Sequence, residues 1–207
     1  MRKQRVSNKD NYFKKLGTVL IVVGIIIALF PVLTNLYSYY YQRTLKEESV
    51  TIEVPENEFE KAPVEFKTAL LEIPSLDVSV MVVRGTSEKS LRIGPGWYEQ
   101  SSLPGEGNTA IAGHRTPYGG YFRNLDRLVE GDTIMLSFRE TTYVYSVDSV
   151  FIVEPTDWSV IASTEQPALT LTTCHPLQGT EERLIVRAYL SEERSRWDQI
   201  PDAEMEE

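Results

Sequence analysis

The sequence predicts an all-β domain, a barrel or sandwich of short strands, behind one N-terminal transmembrane helix. Two observations carry this expectation. Residues 16–33, LGTVLIVVGIIIALFPVL, contain no charged side chain and match the length needed to cross a bilayer core. From about Phe66 onward the chain breaks into short β-type runs separated by turn signals, the pattern of barrels and sandwiches.

The elements follow in order. Residues 1–15 hold Arg2, Lys3, Arg5, Lys9, Lys14 and Lys15 against Asp10 alone, and basic flanks stay on the cytoplasmic side. Residues 16–41 form the expected signal-anchor, closed by Tyr37, Tyr39, Tyr40 and Tyr41 at the far interface. No small-x-small cleavage site follows the apolar run, so the anchor is expected to stay uncleaved, with the rest of the chain outside the cell membrane. Residues 42–66, polar and acidic with Pro55 and Pro63, read as a linker or loose helix that lifts the domain off the membrane. The domain proper covers 67–190. Its expected strands are 69–73, 78–84, 109–112, 133–138, 142–153, 169–173 and 184–190. Gly94-Pro95-Gly96, Pro104-Gly105, Gly119-Gly120 and Gly131-Asp132 mark turns between them. Short helices are expected within 120–129 and 156–164. Residues 191–207 read as an acidic, solvated tail.

Composition excludes several classes. The 207 residues carry a net charge of −9, and the basic N-terminus makes the remainder more acidic still. An acidic domain cannot neutralise phosphates, so nucleic acid is excluded as a partner. One cysteine allows no internal disulfide, and two distant histidines offer no zinc-ligand spacing. No metal site is assigned.

The chemistry-bearing residues sit at strand ends. Cys174 closes the alternating run Ala168-Leu169-Thr170-Leu171-Thr172-Thr173. His114 follows the apolar run ending in Ala112-Gly113, and Arg183 opens Arg183-Leu184-Ile185-Val186. A thiol, an imidazole and a guanidinium so placed supply a nucleophile, a proton carrier and an anion stabiliser. Arg187, Arg115 and His175 are rivals for the cation or the base. Thr173 offers a hydroxyl or backbone N–H to an oxyanion, with plain β-propensity as the alternative. Tyr118 is a candidate pocket wall beside His114, and His175 a candidate rim of a substrate groove.

These residues also resemble a family. Thr170-Leu171-Thr172-Thr173-Cys174 is similar to the TLxTC signature of the sortases, the cysteine transpeptidases of Gram-positive surfaces. Gly113-His114-Arg115 resembles their histidine motif and Arg183-Leu184-Ile185-Val186 their arginine strand, in the same order. The resemblance covers roughly 67–190. It implies a closed barrel of about eight strands with short helices, and catalytic roles for Cys174, His114 and Arg183. It implies cleavage of an LPxTG- or LAxTG-like sorting signal after Thr, and transfer through a thioester to a cell-wall amine. Gly113–Gly119 and Thr170–Pro176 look most like the class E branch, with class D next. Pilus-polymerising class C enzymes carry a lid motif and a second span that the polar 191–207 stretch does not resemble, so anchoring is expected over polymerisation. No cofactor is expected. Some family members bind calcium, and Glu130, Asp132 and Glu140 lie near suitable loops without defining a ligand set. A cysteine peptidase transferring to water and a non-catalytic surface binding domain are the alternatives.

Overall fold

The computed structural model describes residues 8–51, 68–177 and 179–195. Eight strands close into one barrel. They are β1 (Thr68–Ile73), β2 (Val78–Arg84), β3 (Gly96–Trp97), β4 (Asn108–Ala112), β5 (Thr133–Phe138), β6 (Thr141–Val153), β7 (Ala168–His175) and β8 (Glu182–Ser195). Their order around the barrel is β1-β2-β3-β4-β7-β8-β6-β5. The ring shuts where β5 pairs antiparallel with β1, Leu71 opposite Leu136. Only β2–β3 and β4–β7 pair in parallel.

Period-two alternation builds the interior. In β1 the alternate residues Ala69, Leu71 and Ile73 are buried, and in β5 Ile134, Leu136 and Phe138. They meet Leu169 and Leu171 of β7 and Val186 and Ala188 of β8. Each such aliphatic side chain contributes about 1.5–3 kcal/mol by leaving water. Tyr145 is also fully buried. Burial pushes its pKa up to about 12, and its phenol oxygen accepts the Gly105 amide. A second, smaller cluster lies outside the barrel wall: Ala110, Val160, Ile161 and Ile185.

All seven expected strands are present. The sequence reading misses β3, two residues that begin on the last glycine of the Gly94-Pro95-Gly96 turn signal, and a short helix α2 (Glu88–Ile93). The α2 N-terminus is capped by Ser87, whose hydroxyl accepts the Ser90 amide, a local cap that satisfies an otherwise orphaned donor. The helices expected within 120–129 and 156–164 are single 3-10 turns at Leu125–Arg127 and Trp158–Ile161.

The N-terminal helix α1 runs from Asn8 to Thr51 through Pro31, about 66 Å at 1.5 Å per residue. It contains one stretch long and apolar enough to cross a membrane. Of the expected linker 42–66, residues 42–51 continue this helix and 52–66 lie outside the described residues. Polar residues recur at one-turn spacing past the apolar run: Thr34, Ser38 and Gln42 are buried, while Leu36, Tyr39 and Tyr40 are exposed. The buried stripe lies against the barrel. β2 is paired with β1 along its length but with β3 only at Val83 and Arg84. Gln42 completes that edge. Its Oε1 accepts the Met81 amide at 2.7 Å and its Nε2 donates to the Met81 carbonyl at 2.9 Å. One side-chain amide thus does for β2 what a neighbouring strand would do. Gly94 makes room for it, because a Cβ there would collide with the Gln42 amide and approach Met81 O at 3.0 Å.

Replacing Gln42 by Ala leaves a buried donor and a buried acceptor on Met81 unpaired. The expected loss is about 2 kcal/mol of stability, read as a lower denaturation midpoint of the full chain in detergent micelles. Tyr39→Ala, on the exposed side of the same helix, should leave that midpoint unchanged.

Candidate active site

Strand register assembles the site. β4 lies parallel to β7 with Ala112 opposite Thr172. The Gly113 amide then donates to the Thr172 carbonyl at 3.0 Å, one step past the end of β4. Two positions beyond those partners stand His114 and Cys174. On the other flank of β7, Cys174 stands directly opposite Arg183 in the antiparallel ladder with β8. Cys174 and Arg183 thus share one row of the β7–β8 ladder, and His114 stands in the loop two residues past the end of β4, at the same end of the barrel.

Alternation decides which side chains share a face. Leu169, Leu171 and Thr173 point into the barrel. Thr170, Thr172 and Cys174 point out, on the same side as Ala110, Ile185 and Arg183. The side chains of Thr173 and His175, the candidates for the substrate side, lie off the Cys174 face. Thr173 is buried, and its hydroxyl donates to the Gly113 carbonyl at 2.8 Å, so it fixes the approach to His114 from behind. His175 is turned away from the Cys174 face as well. Its Nδ1 lies 3.0 Å from Arg115 Nη1. A guanidinium can only donate, so that nitrogen is the acceptor and the ring carries its proton on Nε2, 4.0 Å from Glu182.

Arg115 is the floor of the site. It is 4% exposed, pairs with Asp126 at 2.9 Å, and donates to the carbonyls of Arg123 and Cys174 at 3.3 and 3.5 Å. A buried guanidinium needs such saturation. These bonds tie the loop after His114 to the end of β7. Phe122 closes the same loop from within. It fills the core beneath Gly113, where a Cβ would lie 2.5 Å from its ring.

His114 has its Nε2 shielded from solvent with no hydrogen-bond partner. Burial lowers its pKa below the ordinary imidazole value, Glu88 opposing and Arg92 adding to the effect. Tyr118 lies against the imidazole, ring centroids 5.7 Å apart. Its backbone is left-handed, φ 52°, an unusual conformation for an aromatic residue that clusters at functional sites.

The two rival arginines are separated by register. Arg183 is bracketed by the carbonyls of Thr180 and Glu182, each 3.0 Å from its Nη1. Arg187 faces Thr170, four residues further along. It lies half-buried beneath the 158–161 turn, donating to the Val160 carbonyl at 2.8 Å. The same carbonyl accepts from Asn108, whose second N–H goes to Ala162 and whose oxygen accepts from Thr170. Asn108 and Arg187 thus pin the loop between β6 and β7 over the outer face.

That face continues toward Tyr98, whose hydroxyl lies 3.1 Å from the Thr172 hydroxyl. Tyr98 in turn meets Trp158 edge-on at 6.5 Å, and Trp158 is 61% exposed. Sequence reasoning misses Tyr98, Asn108 and Trp158. Each is defined by partners 50 or more positions away, and no local pattern marks them. Glu130, Asp132 and Glu140 do not converge. Asp132 and Glu140 flank opposite ends of β5, about 20 Å apart, and Asp132 accepts the Val129 amide. Among the described residues no group of three or more His, Cys, Asp or Glu is placed to hold a metal ion.

Comparison with known proteins decides the family. The model of the sortase domain matches residues 71–191, more than half of the chain. The chain belongs to the sortase family. Over 152 residues it is 34% identical to sortase SrtE1 of Streptomyces coelicolor, covering 65% of this chain and 43% of that protein. Over 111 residues it is 33% identical to sortase D of Bacillus subtilis, covering 53% and 54%. The alignments thus span about half the length of these curated relatives. The crystal structure of sortase E1 from Streptomyces coelicolor with a tripeptide in its active site superposes with a TM-score of 0.61 at 34% identity. It covers 66% of this chain and 95% of that one. The SrtF sortase of Corynebacterium diphtheriae gives 0.62 at 29%, covering 73% and 98%. The closed barrel of eight strands is the sortase fold, and class E and class D sortases are both among the relatives.

The half-buried His114 of this sortase domain should titrate below 6.5, the ordinary value. Imidazole NMR of the full chain reads this directly, with the second signal assigned by His175→Gln. The lowered folded pKa makes the unfolded state bind more protons within the window between the two values. The stability contributed by neutral His114 is therefore complete above 6.5 and lost as pH falls through that window. His114→Gln should remove that slope.

Proposed function

We propose that this protein is a membrane-anchored cysteine transpeptidase that joins surface proteins to the cell wall. The reading rests on one observation: β7 carries Cys174 opposite Arg183 of β8, while its parallel neighbour β4 runs, two residues past the Ala112–Thr172 pair, into His114. The substrate is an LPxTG- or LAxTG-like sorting signal lying along the outer face of β7. His114 takes the thiol proton, and the Cys174 sulfur attacks the carbonyl carbon of the signal's Thr. The resulting oxyanion is met by the Arg183 guanidinium, which uses only Nη1 on Thr180 and Glu182 and keeps other N–H groups to donate. Collapse breaks the Thr–Gly bond, and the proton held on His114 goes to the leaving amine. A thioester remains. An amine of a cell-wall precursor attacks it, His114 accepts the amine proton, and the sulfur leaves and regains a proton.

The environment of His114 suits this role. Burial keeps the imidazole neutral near neutral pH, ready to accept a proton. Formation of the imidazolium then has a cost, which an adjacent thiolate offsets. The helix α1 supplies the anchor, with residues 1–15 inside and the barrel outside. The likeness to class E and class D sortases supports single-protein attachment over pilin polymerisation, and the sorting signal is the one that membership of the family implies. Transfer to water is the competing outcome of the same thioester, and the acceptor decides between them.

The test is turnover of LPxTG-like and LAxTG-like peptides by the full chain in micelles, with and without an amine donor, products identified by mass. Ligated product should dominate when the amine is present. Cys174→Ala should abolish turnover and thioester formation without unfolding the barrel. Arg183→Ala should slow cleavage by about 10²-fold, as loss of an oxyanion donor does. Arg183→Lys should restore little, because an ammonium lacks the planar fork. Arg187→Ala should cost less, since it lies about 13 Å further along β8 and acts on the 158–161 turn. Transpeptidation that survives Cys174→Ala removes the cysteine mechanism.

A further inference from the structure

The membrane-exit turns of α1 reach the catalytic histidine's loop. Asn35 Oδ1 accepts the Gly119 amide at 2.9 Å. Tyr37 meets the ring of Tyr118 edge-on at 6.4 Å. The Ser38 hydroxyl lies 3.3 Å from Tyr121 OH and donates to the Ile93 carbonyl at 2.9 Å. Further along, Gln42 holds Met81 and Lys46 donates to the Ser79 carbonyl at 3.2 Å. α1 therefore grips three parts of the domain in succession: the 115–121 loop, the end of α2, and β2.

The grip converges on Tyr118. This residue is left-handed at φ 52°, followed by Gly119 at 87° and Gly120 at 53°. Such a run costs free energy unless its surroundings hold it. Three groups hold it: Asn35 on the Gly119 amide, Tyr37 on one edge of the ring, and Arg92 of α2 with its guanidinium 5.6 Å from the ring centroid. Arg92 is itself paired with Glu88. The held ring then lies over His114.

We propose that the outer turns of α1 are a positioning element of the active site: Asn35 and Tyr37 hold the Tyr118 ring against His114. Asn35, Tyr37 and Tyr118 are positioning residues, acting on the reaction through His114. The inference rests on the anchored-transpeptidase reading for its reaction, but the clamp itself is geometry. It also fixes the height of the site. The buried contacts begin at Thr34, the residue after the apolar run ends at Leu33, so the barrel sits at the membrane surface with no free tether between them. The substrate's signal is presented to a site whose distance and tilt from the bilayer are set by one rigid helix.

The test uses the full chain in nanodiscs. Asn35→Ala should lower kcat about fivefold, the size one lost hydrogen bond permits, with KM for the peptide nearly unchanged. Asn35→Asp, which keeps the acceptor, should restore kcat. Tyr37→Ala should behave like Asn35→Ala and Tyr37→Phe like wild type, while Tyr39→Ala on the exposed side is silent. Glu88, Arg92 and Tyr118 face His114, and Cys174 is its partner in the proposed reaction, so the titration is read in a Cys174→Ala background, where no activity is needed. There Asn35→Ala should move the His114 midpoint up toward 6.5 as the ring cover loosens. An unmoved midpoint and wild-type kcat in both alanine variants, with only the denaturation midpoint lowered, would reduce the contacts to scaffolding and overturn the proposal. Because the titration does not depend on turnover, an enzyme that fails to cleave sorting peptides sinks the functional reading and leaves the clamp to be judged on its own.

Discussion

The parallel pairing of β4 with β7 fixes where the rest of the site falls. Parallel neighbours share a direction, so two strands that start together, Asn108 beside Ala168, also end together, Ala112 beside Thr172. The loop leaving β4 and the last residues of β7 thus emerge at one rim of the barrel. β8 returns antiparallel from the same rim and brings Arg183 level with Cys174. A slip of one residue in β7 would turn Cys174 into the core and put Thr173 on the surface. The buried run Leu169 and Leu171 forbids that slip, because it would take both out of the barrel interior to the positions bonded by Asn108 and Tyr98, and bring the Thr170 and Thr172 hydroxyls into the apolar core. The apolar core therefore acts on function through register.

The same constraint explains what the sequence makes legible. Strand runs with clear alternation, such as Ala69–Ile73 and Leu169–Thr173, announce themselves, since their period follows directly from the face they bury. The motif residues are legible because they cap those runs. β3 is not, because two residues paired between Pro95 and Tyr98 leave no period to read. Alternation alone, followed strictly past Thr172, also places Thr173 on the inner face, although its position beside the thiol suggests a role at the substrate. Arg115 is harder still. Its sequence neighbourhood is that of a surface loop, and its burial is created by Asp126, His175 and the Cys174 carbonyl, which only the closed fold brings together. The apolar run of α1 is plain from composition. Its polar stripe is legible as Thr34, Ser38 and Gln42 at one-turn spacing, but what the stripe meets is not.

The loop after His114 shows how a short polar segment is made rigid without secondary structure. Its 115–121 stretch has few carbonyls and amides in regular ladders. Order comes instead from Arg115 beneath, Phe122 from the core side, and α1 from outside the barrel. Each contributes a different kind of constraint: a saturated buried charge, close packing against a residue with no Cβ, and a side-chain acceptor for a left-handed glycine. Each acts on a different part of the loop, and together they hold it against the strain at Tyr118. That arrangement suits a histidine whose Nε2 is sealed from water yet unpartnered. A mobile loop would let water satisfy that nitrogen, and the cost of burying it neutral would disappear along with its altered acidity.

Burial of His114 and docking of α1 are two sides of one design problem. A thiol at a strand end is a weak nucleophile until a base is held beside it in a fixed, partly dry setting. A small barrel has little mass near its rim with which to build that setting. The long apolar helix α1 lies close enough to supply it. Gln42 shows the economy of the solution, because the side chain that docks the helix also completes the open edge of β2. Anchor, edge protection and loop support are then properties of one stripe on one helix. The contacts that reach Tyr118 are those of Asn35 and Tyr37, so the proposed clamp transmits a change at these two positions to the imidazole, and not a change at exposed Tyr39.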